Sequence, residues 1–199
     1  MDLMDMFKQQ MTNTVVNQLT EKIGLGSQDQ TQSAAQNAFS TLLGAVSKNA
    51  ATEQGAQQLN QVLEKDHDGS ILDNLTSFLS TGPTENVSER ATNGNGILGH
   101  LLGNKQQGII QGLSQVNKMS PEATQSLLTT VAPMVMGVLG KAKQSQGFDA
   151  GGLVSLLGQQ QSAKQAPGQL GGLMSMLDSD GDGSVIDDIG GMLGGMFGK

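Results

Sequence analysis

The chain is 199 residues long, carries 11 Lys+Arg against 18 Asp+Glu for a net charge of −7, and contains no Cys, Trp or Tyr, five Phe and two His. Without cysteine there is no disulfide framework, thiolate zinc centre or cysteine nucleophile, and His67 and His100 alone do not furnish a His-rich metal centre or a well-oriented Ser-His-Asp triad. The acidic balance and the scarcity of aromatic rings argue against a phosphate-binding or base-stacking surface, so nucleic acid is not an expected partner.

At the N-terminus, Met1-Asp-Leu-Met-Asp-Met-Phe-Lys has neither the basic flank nor the continuous apolar core of a signal peptide. Helical periodicity then predicts helices near residues 3–23, 29–48, 54–63 and 70–80. Between the third and fourth lies an acidic turn, Glu64-Lys-Asp66-His-Asp68-Gly69-Ser70-Ile-Leu-Asp73. Its last four residues fit a capping box, in which Ser70 would cap the helix and Asp73 would reach back to the cap. The same acids form a weak candidate for a metal site, diluted by His67 and Asn74.

Residues 82–95 are rich in turn formers and read as a linker between a first helical unit, 1–81, and a second, 96–199. Gly94-Asn-Gly96-Ile-Leu-Gly99 satisfies GxGxxG, but it follows a loop and no βαβ pattern surrounds it, so it predicts a loosened helix start and not a dinucleotide site. Leu98, Leu101, Leu102, Ile109, Leu113 and Val116 recur at helical spacing and predict a helix over 97–117. His100, among the leucines, is given no role. A further helix over 121–140 starts at Ser120-Pro121, a cap followed by proline at the first helical position, and Pro133 in its interior should kink or break it. Its most apolar run, Val131 to Leu139, is about half the ~20 residues that cross a bilayer, so no membrane span is expected. Shorter helices are predicted over 150–158, 170–177 and 185–197, and no alternating strand appears.

The chain also aligns with itself. Ser27, Thr31, Gly44 and Lys48 fall on Ser120, Thr124, Gly137 and Lys141; Val15-Val16 falls on Ile109-Ile110; and Glu64 to Leu75 falls on Asp178 to Ile189. The expected fold is therefore all-α, two diverged copies of a multi-helix unit forming one or two helical bundles.

The second acidic turn carries the chemistry. Asp178-Ser-Asp180-Gly-Asp182-Gly183-Ser184-Val-Ile-Asp187-Asp188 supplies carboxylates at positions 1, 3 and 5 and glycine at 6 of an EF-hand-like loop. A hard cation such as Ca²⁺ needs six to eight oxygens, which converge only if a glycine lets the backbone turn sharply. The candidate ligands are Asp178, Asp180, Asp182, Ser184 and Asp188. Position 12, where a bidentate acid belongs, is Ile189, so the loop would have to close one residue early. Beyond it, Ile186, Ile189, Met192, Leu193, Met196 and Phe197 form one helical stripe beside Gly190, Gly191, Gly194 and Gly195. Small residues on a helix allow close approach by another helix, in the same chain or in a second one.

Ile97-Leu98-Gly99-His-Leu101-Leu102-Gly103, Met119-Ser120-Pro-Glu-Ala, Val131-Ala-Pro133-Met-Val-Met-Gly137 and the acidic, Gly/Met-rich ending resemble the bacterial YidB-like family, domain of unknown function 937. The resemblance covers residues 96–199 and, more faintly, 10–80. It implies an all-helical bacterial protein with no established activity and no catalytic residues to carry over. The expectation is a non-enzymatic, cytoplasmic protein that acts through helix-face contacts with a protein partner or with itself, with a candidate structural Ca²⁺ site. The alternative is a calcium-responsive sensor or buffer.

Overall fold

A computed structural model describes residues 2–83 and 87–163. Among them the regular structure is helical, with no strand: α1 Leu3–Gln10, α2 Asn13–Ile23, α3 Gln28–Asn49, α4 Glu53–Lys65, α5 Ser70–Asp73, α6 Leu75–Thr81, α7 Glu89–Thr92, α8 Gly94–Leu102, α9 Gln106–Asn117, α10 Pro121–Gln146 and α11 Ala150–Ala163. The all-α class is as expected. The helices predicted over 170–177 and 185–197 lie outside the described residues.

Three predicted helices are each divided in two. Residues 3–23 part at Met11-Thr12, because Thr12 leaves the helical region and its hydroxyl accepts from the Val15 amide at 3.4 Å as the cap of α2. Residues 70–80 part at Asn74, whose side chain donates to the Ser70 carbonyl at 2.9 Å. Residues 97–117 part at Gly103, whose φ of +51° only glycine adopts at little cost, followed by a turn of 3₁₀-helix to Lys105. Within 82–95 the chain forms α7, with Val87 and Ala91 buried.

One hydrophobic cluster runs from Leu3 to Leu157 and draws on both sides of that stretch. The Phe7 and Phe39 rings stack within it at 4.3 Å between centroids. α10 is the axial element, buried on every side through its middle, which is why its apolar residues show no single stripe. By length and composition α10 could cross a membrane, yet 78% of its most apolar stretch is buried against the rest of the protein. The run Val131 to Leu139 understated this helix, because helical Thr, Ser and Gly prolong it at both ends.

Of the kink or break expected at Pro133, the break does not occur: α10 continues to Gln146. Proline cannot donate to the carbonyl four residues back, that of Thr129. Gly94 of α8 lies over that carbonyl so closely that a Cβ there would stand 1.8 Å from the oxygen. A glycine Cα–H is the group that can approach an unpartnered carbonyl at this range, and the contact offsets part of what the proline removes.

Among α1–α4 and α8–α11, exchanging the two halves of the chain maps most of the packing onto itself. α1 packs on α3 as α8 packs on α10, and α1 on α10 as α8 on α3. α2 packs on α3 as α9 on α10, α2 on α10 as α9 on α3, and α4 on α10 as α11 on α3. The pairs α3–α10 and α4–α11 are their own counterparts. This arrangement is consistent with two copies of one unit interlocked about a shared core.

Candidate functional site

Asp178, Asp180, Asp182, Ser184 and Asp188, the candidate Ca²⁺ ligands, lie outside the described residues. Their aligned counterpart, the turn from Glu64 to Asp73, is described, and it shows how an acidic elbow of this kind is held. α4 ends at Lys65, and the chain reverses through Asp66, His67, Asp68 and Gly69, the last at φ +94°. Asp68 Oδ1 accepts from the Ser70 amide at 2.9 Å, closing the turn. Hydrogen bonds from Ser70, its side chain first and its backbone second, hold the Asp68 carboxyl below the usual carboxylate range.

The capping box expected at Ser70–Asp73 is not formed. Gly69 occupies the cap position and makes no side-chain bond, so Ser70 is already the first helical residue. Asp73 turns outward instead, and its Oδ1 accepts from Lys141 Nζ of α10 at 2.8 Å. Glu64 Oε1 accepts from Lys143 Nζ at 2.8 Å and from Asn60 Nδ2 at 3.1 Å, and these two donors lower its pKa. Asp66 faces Arg90 of α7 at 3.6 Å. The four acids of this elbow therefore diverge, three toward separate cations and one toward a backbone amide, and among the described residues no group of acids and histidines is placed to share a metal ion. The weaker metal candidate at Glu64–Asp73 is thereby overturned.

Beneath the acids the elbow lies against the backbone of α10. The His67 carbonyl sits where a Cβ on Gly140 would be, 1.8 Å away, and Gly69 faces the Lys141 backbone. Ile71 and Leu72 cover Gly137. Gly137, Gly140 and Lys141 are spaced three and four residues apart on one helix face, which is the sequence signal for this docking groove. His67 is 4% exposed, and its Nδ1 has no hydrogen-bond partner. Burial lowers its pKa, against the opposing pull of Asp66 and Asp68. Sequence reasoning singled out the acids but not Lys143, Arg90 or Gly140, since none of these has an aligned partner of its own type in the other half.

The GxGxxG stretch opens α8. Gly94 meets α10, Gly96 receives the Asn93 cap, and Gly99 faces open space, so the first two serve packing and capping. His100 is exposed on an open groove of about 340 Å³ between the end of α3, α4 and α8, walled by Val46, Leu59, Val62, Leu101 and Met136. Asn49 ties its floor by donating to the Leu101 carbonyl at 3.1 Å.

No curated protein and no solved structure matches the chain. A family model does, over residues 5–142 and 146–199, and its first segment runs uninterrupted through 82–95. The half of the chain in which the resemblance was faint is thus matched along with the rest. With nearly every residue covered, the chain belongs to the family described as bacterial protein of unknown function (DUF937).

Proposed function

We propose that this protein works through contacts of its helix faces, by self-association or by holding a protein partner, and catalyses no reaction; Ca²⁺ serves as a structural ion at its second acidic elbow. The observation that carries this reading is the way the first elbow is neutralised. There Lys143 and Arg90 meet Glu64 and Asp66. In the aligned second elbow the acids are Asp178 and Asp180, Ala50 stands at the position matching Lys143, and the only basic residue that follows is Lys199. A divalent cation would supply there the positive charge that side chains supply in the first elbow. With Ile189 in place of the bidentate acid, binding would be weak. The open groove beside His100 supports the partner-binding half of the reading, since its apolar walls and amide-rich rim suit a helix or an extended peptide.

Thermal unfolding by circular dichroism, in EDTA and in millimolar CaCl₂, tests the ion. A ligand at 100 times its Kd that binds only the folded state adds ~2.7 kcal/mol, a shift of several degrees. The shift should vanish in Asp180→Ala/Asp182→Ala; no shift in the natural chain removes Ca²⁺ from the proposal. Light scattering tests self-association, which fails if the mass stays at 20.6 kDa at every concentration.

A further inference from the structure

Among the described residues, His67 is the titratable side chain that is buried, and its Nδ1 has no hydrogen-bond partner. The backbone around it is pinned on two sides: its amide donates to the Val62 carbonyl of α4 at 3.2 Å, and its carbonyl rests on Gly140 of α10. Gly69 then lies on the Lys141 backbone, and Ile71 and Leu72 close over Gly137. We propose that this elbow is a pH-sensitive latch. A proton on His67 favours a state in which residues 66–73 lift off α10 while the other helices stay packed. That state uncovers Ile71, Leu72 and the Gly137 face of α10.

A protonated imidazole needs acceptors for two N–H groups, and at Nδ1 the docked ring has none. An unpaired buried donor that also bears charge is costly to keep from water. The charges around it offer little relief. α10 brings Lys141 and Lys143 and α7 brings Arg90, already engaged with Asp73, Glu64 and Asp66. Lys65 of α4 and Glu89 of α7 are exposed. Asp66 and Asp68 favour the charged ring, but burial outweighs them and its pKa lies below the ordinary 6.5. Asp68 is the elbow acid that accepts from an amide, that of Ser70, in place of a cation. A charged ring that leaves its place therefore meets that carboxylate and water. Because the peptide after the ring lies on Gly140, leaving takes the backbone along. The elbow is built to move by itself: α5 is four residues long, and its ion pair to α10 is 43% and 68% exposed. Segments of this kind open at lower free energy than the core they cover. Release exposes Ile71 and Leu72, so it is a minor state at neutral pH whose population acid raises.

Amide exchange on the full-length chain at pH 7.5 and 5.0, expressed as protection relative to an unstructured peptide at the same pH, tests the latch. Leu72 and Asn74, whose amides donate to the Gly69 and Ile71 carbonyls, report the elbow, and the buried Val135 and Val138 of α10 report the core. With the released ring titrating at its ordinary 6.5, elbow protection should fall by about tenfold or more between those pH values. At both it should stay at least about tenfold below that of Val135 and Val138, which open with the whole chain. In His67→Gln, which takes up no proton, the fall should vanish. Elbow amides as well protected as α10 would mean that the elbow leaves only on global unfolding, and a fall that persists in His67→Gln would assign the proton elsewhere; either overturns the proposal. Should His67→Gln not fold, the imidazole carbon shifts of the natural chain replace it. The ring must still be neutral at pH values where Leu72 and Asn74 are already losing protection, and a ring that charges with those amides still protected overturns the latch.

Discussion

α3 and α10 begin alike. Ser27 and Ser120 cap them by accepting from the amides of Gln30 and Ala123, and Thr31 and Thr124 donate back to the cap carbonyls at 2.9 Å in both. Further on they differ: α10 has Pro133 and Gly140 where α3 has Ser40 and Ser47, while Gly137 and Gly44 agree. The residues peculiar to α10 are poor helix formers, and each coincides with a backbone group of another element lying against the helix. Gly94 covers the carbonyl freed by Pro133, and the His67 carbonyl rests on Gly140. At these two positions helix propensity is thus given up where a neighbour's main chain comes within contact distance, and tertiary packing offsets the loss.

That contrast breaks most sharply at Gly140. A methyl group there meets backbone, which cannot rotate away, so Gly140→Ala should cost about 3 kcal/mol and lower the thermal midpoint by roughly 6–12 °C. Gly94→Ala, aimed at the Thr129 carbonyl, should lower it comparably, by about 2–3 kcal/mol. Gly99→Ala is the control on the same helix as Gly94. Nothing lies within 4 Å of its added carbon, so the helix-propensity gain of up to about 1 kcal/mol should raise the midpoint. If all three substitutions shift the midpoint in one direction, the close approaches do not govern these glycines.

Much of this fold is readable from the chain because caps and apolar periodicity are local. Ser120-Pro121 marks the start of α10, and Ser27 that of α3, within a residue. The breaks inside predicted helices were less legible for an equally local reason. Thr12 and Asn74 are tolerated inside helices, and only the burial of Met11 and the packing of Leu75 select the break. Pro133 did not show that the helix runs on unbroken, since the carbonyl it frees is met by Gly94, far away in sequence. At the elbow the acids were legible as a cluster, but their partners sit on α10 and α7, and no spacing rule places Lys141, Lys143 and Arg90 over Asp73, Glu64 and Asp66.

A smaller effect distinguishes the base of the elbow from its rim. His67 is buried between Asp66 and Asp68, with Lys141 of α10 beside Gly69, and its folded pKa lies below its ordinary 6.5. Below pH 6.5 the unfolded chain takes up a proton at this position before the folded chain does, so stability is complete above 6.5 and declines as pH falls from there toward the folded value. Glu64 and Asp68, also lowered, act in a separate window beneath their ordinary 4.5 and 3.8. Chemical denaturation between pH 7.5 and 5 should show stability falling with pH, and His67→Gln should flatten that slope without touching the loss below pH 4.5. An unchanged slope in the variant would assign the titration elsewhere.

The least effect is expected from the ion pair that marks the elbow most visibly. Lys141 and Asp73 are 43% and 68% exposed, so water screens their attraction and the ordering of two mobile side chains opposes it. A double-mutant cycle with Lys141→Ala and Asp73→Ala should give a coupling below about 1 kcal/mol, shrinking further in 0.5 M salt. The elbow should stay on α10 in the doubly substituted chain, because Ile71 and Leu72 against Gly137 and the His67 carbonyl against Gly140 do not depend on charge. A coupling of several kcal/mol would reverse this order and make the acids, not the glycines, the reason the elbow sits where it does. A small coupling instead leaves the lysine to select which face of α10 is covered, while the close-packed backbone supplies the adhesion.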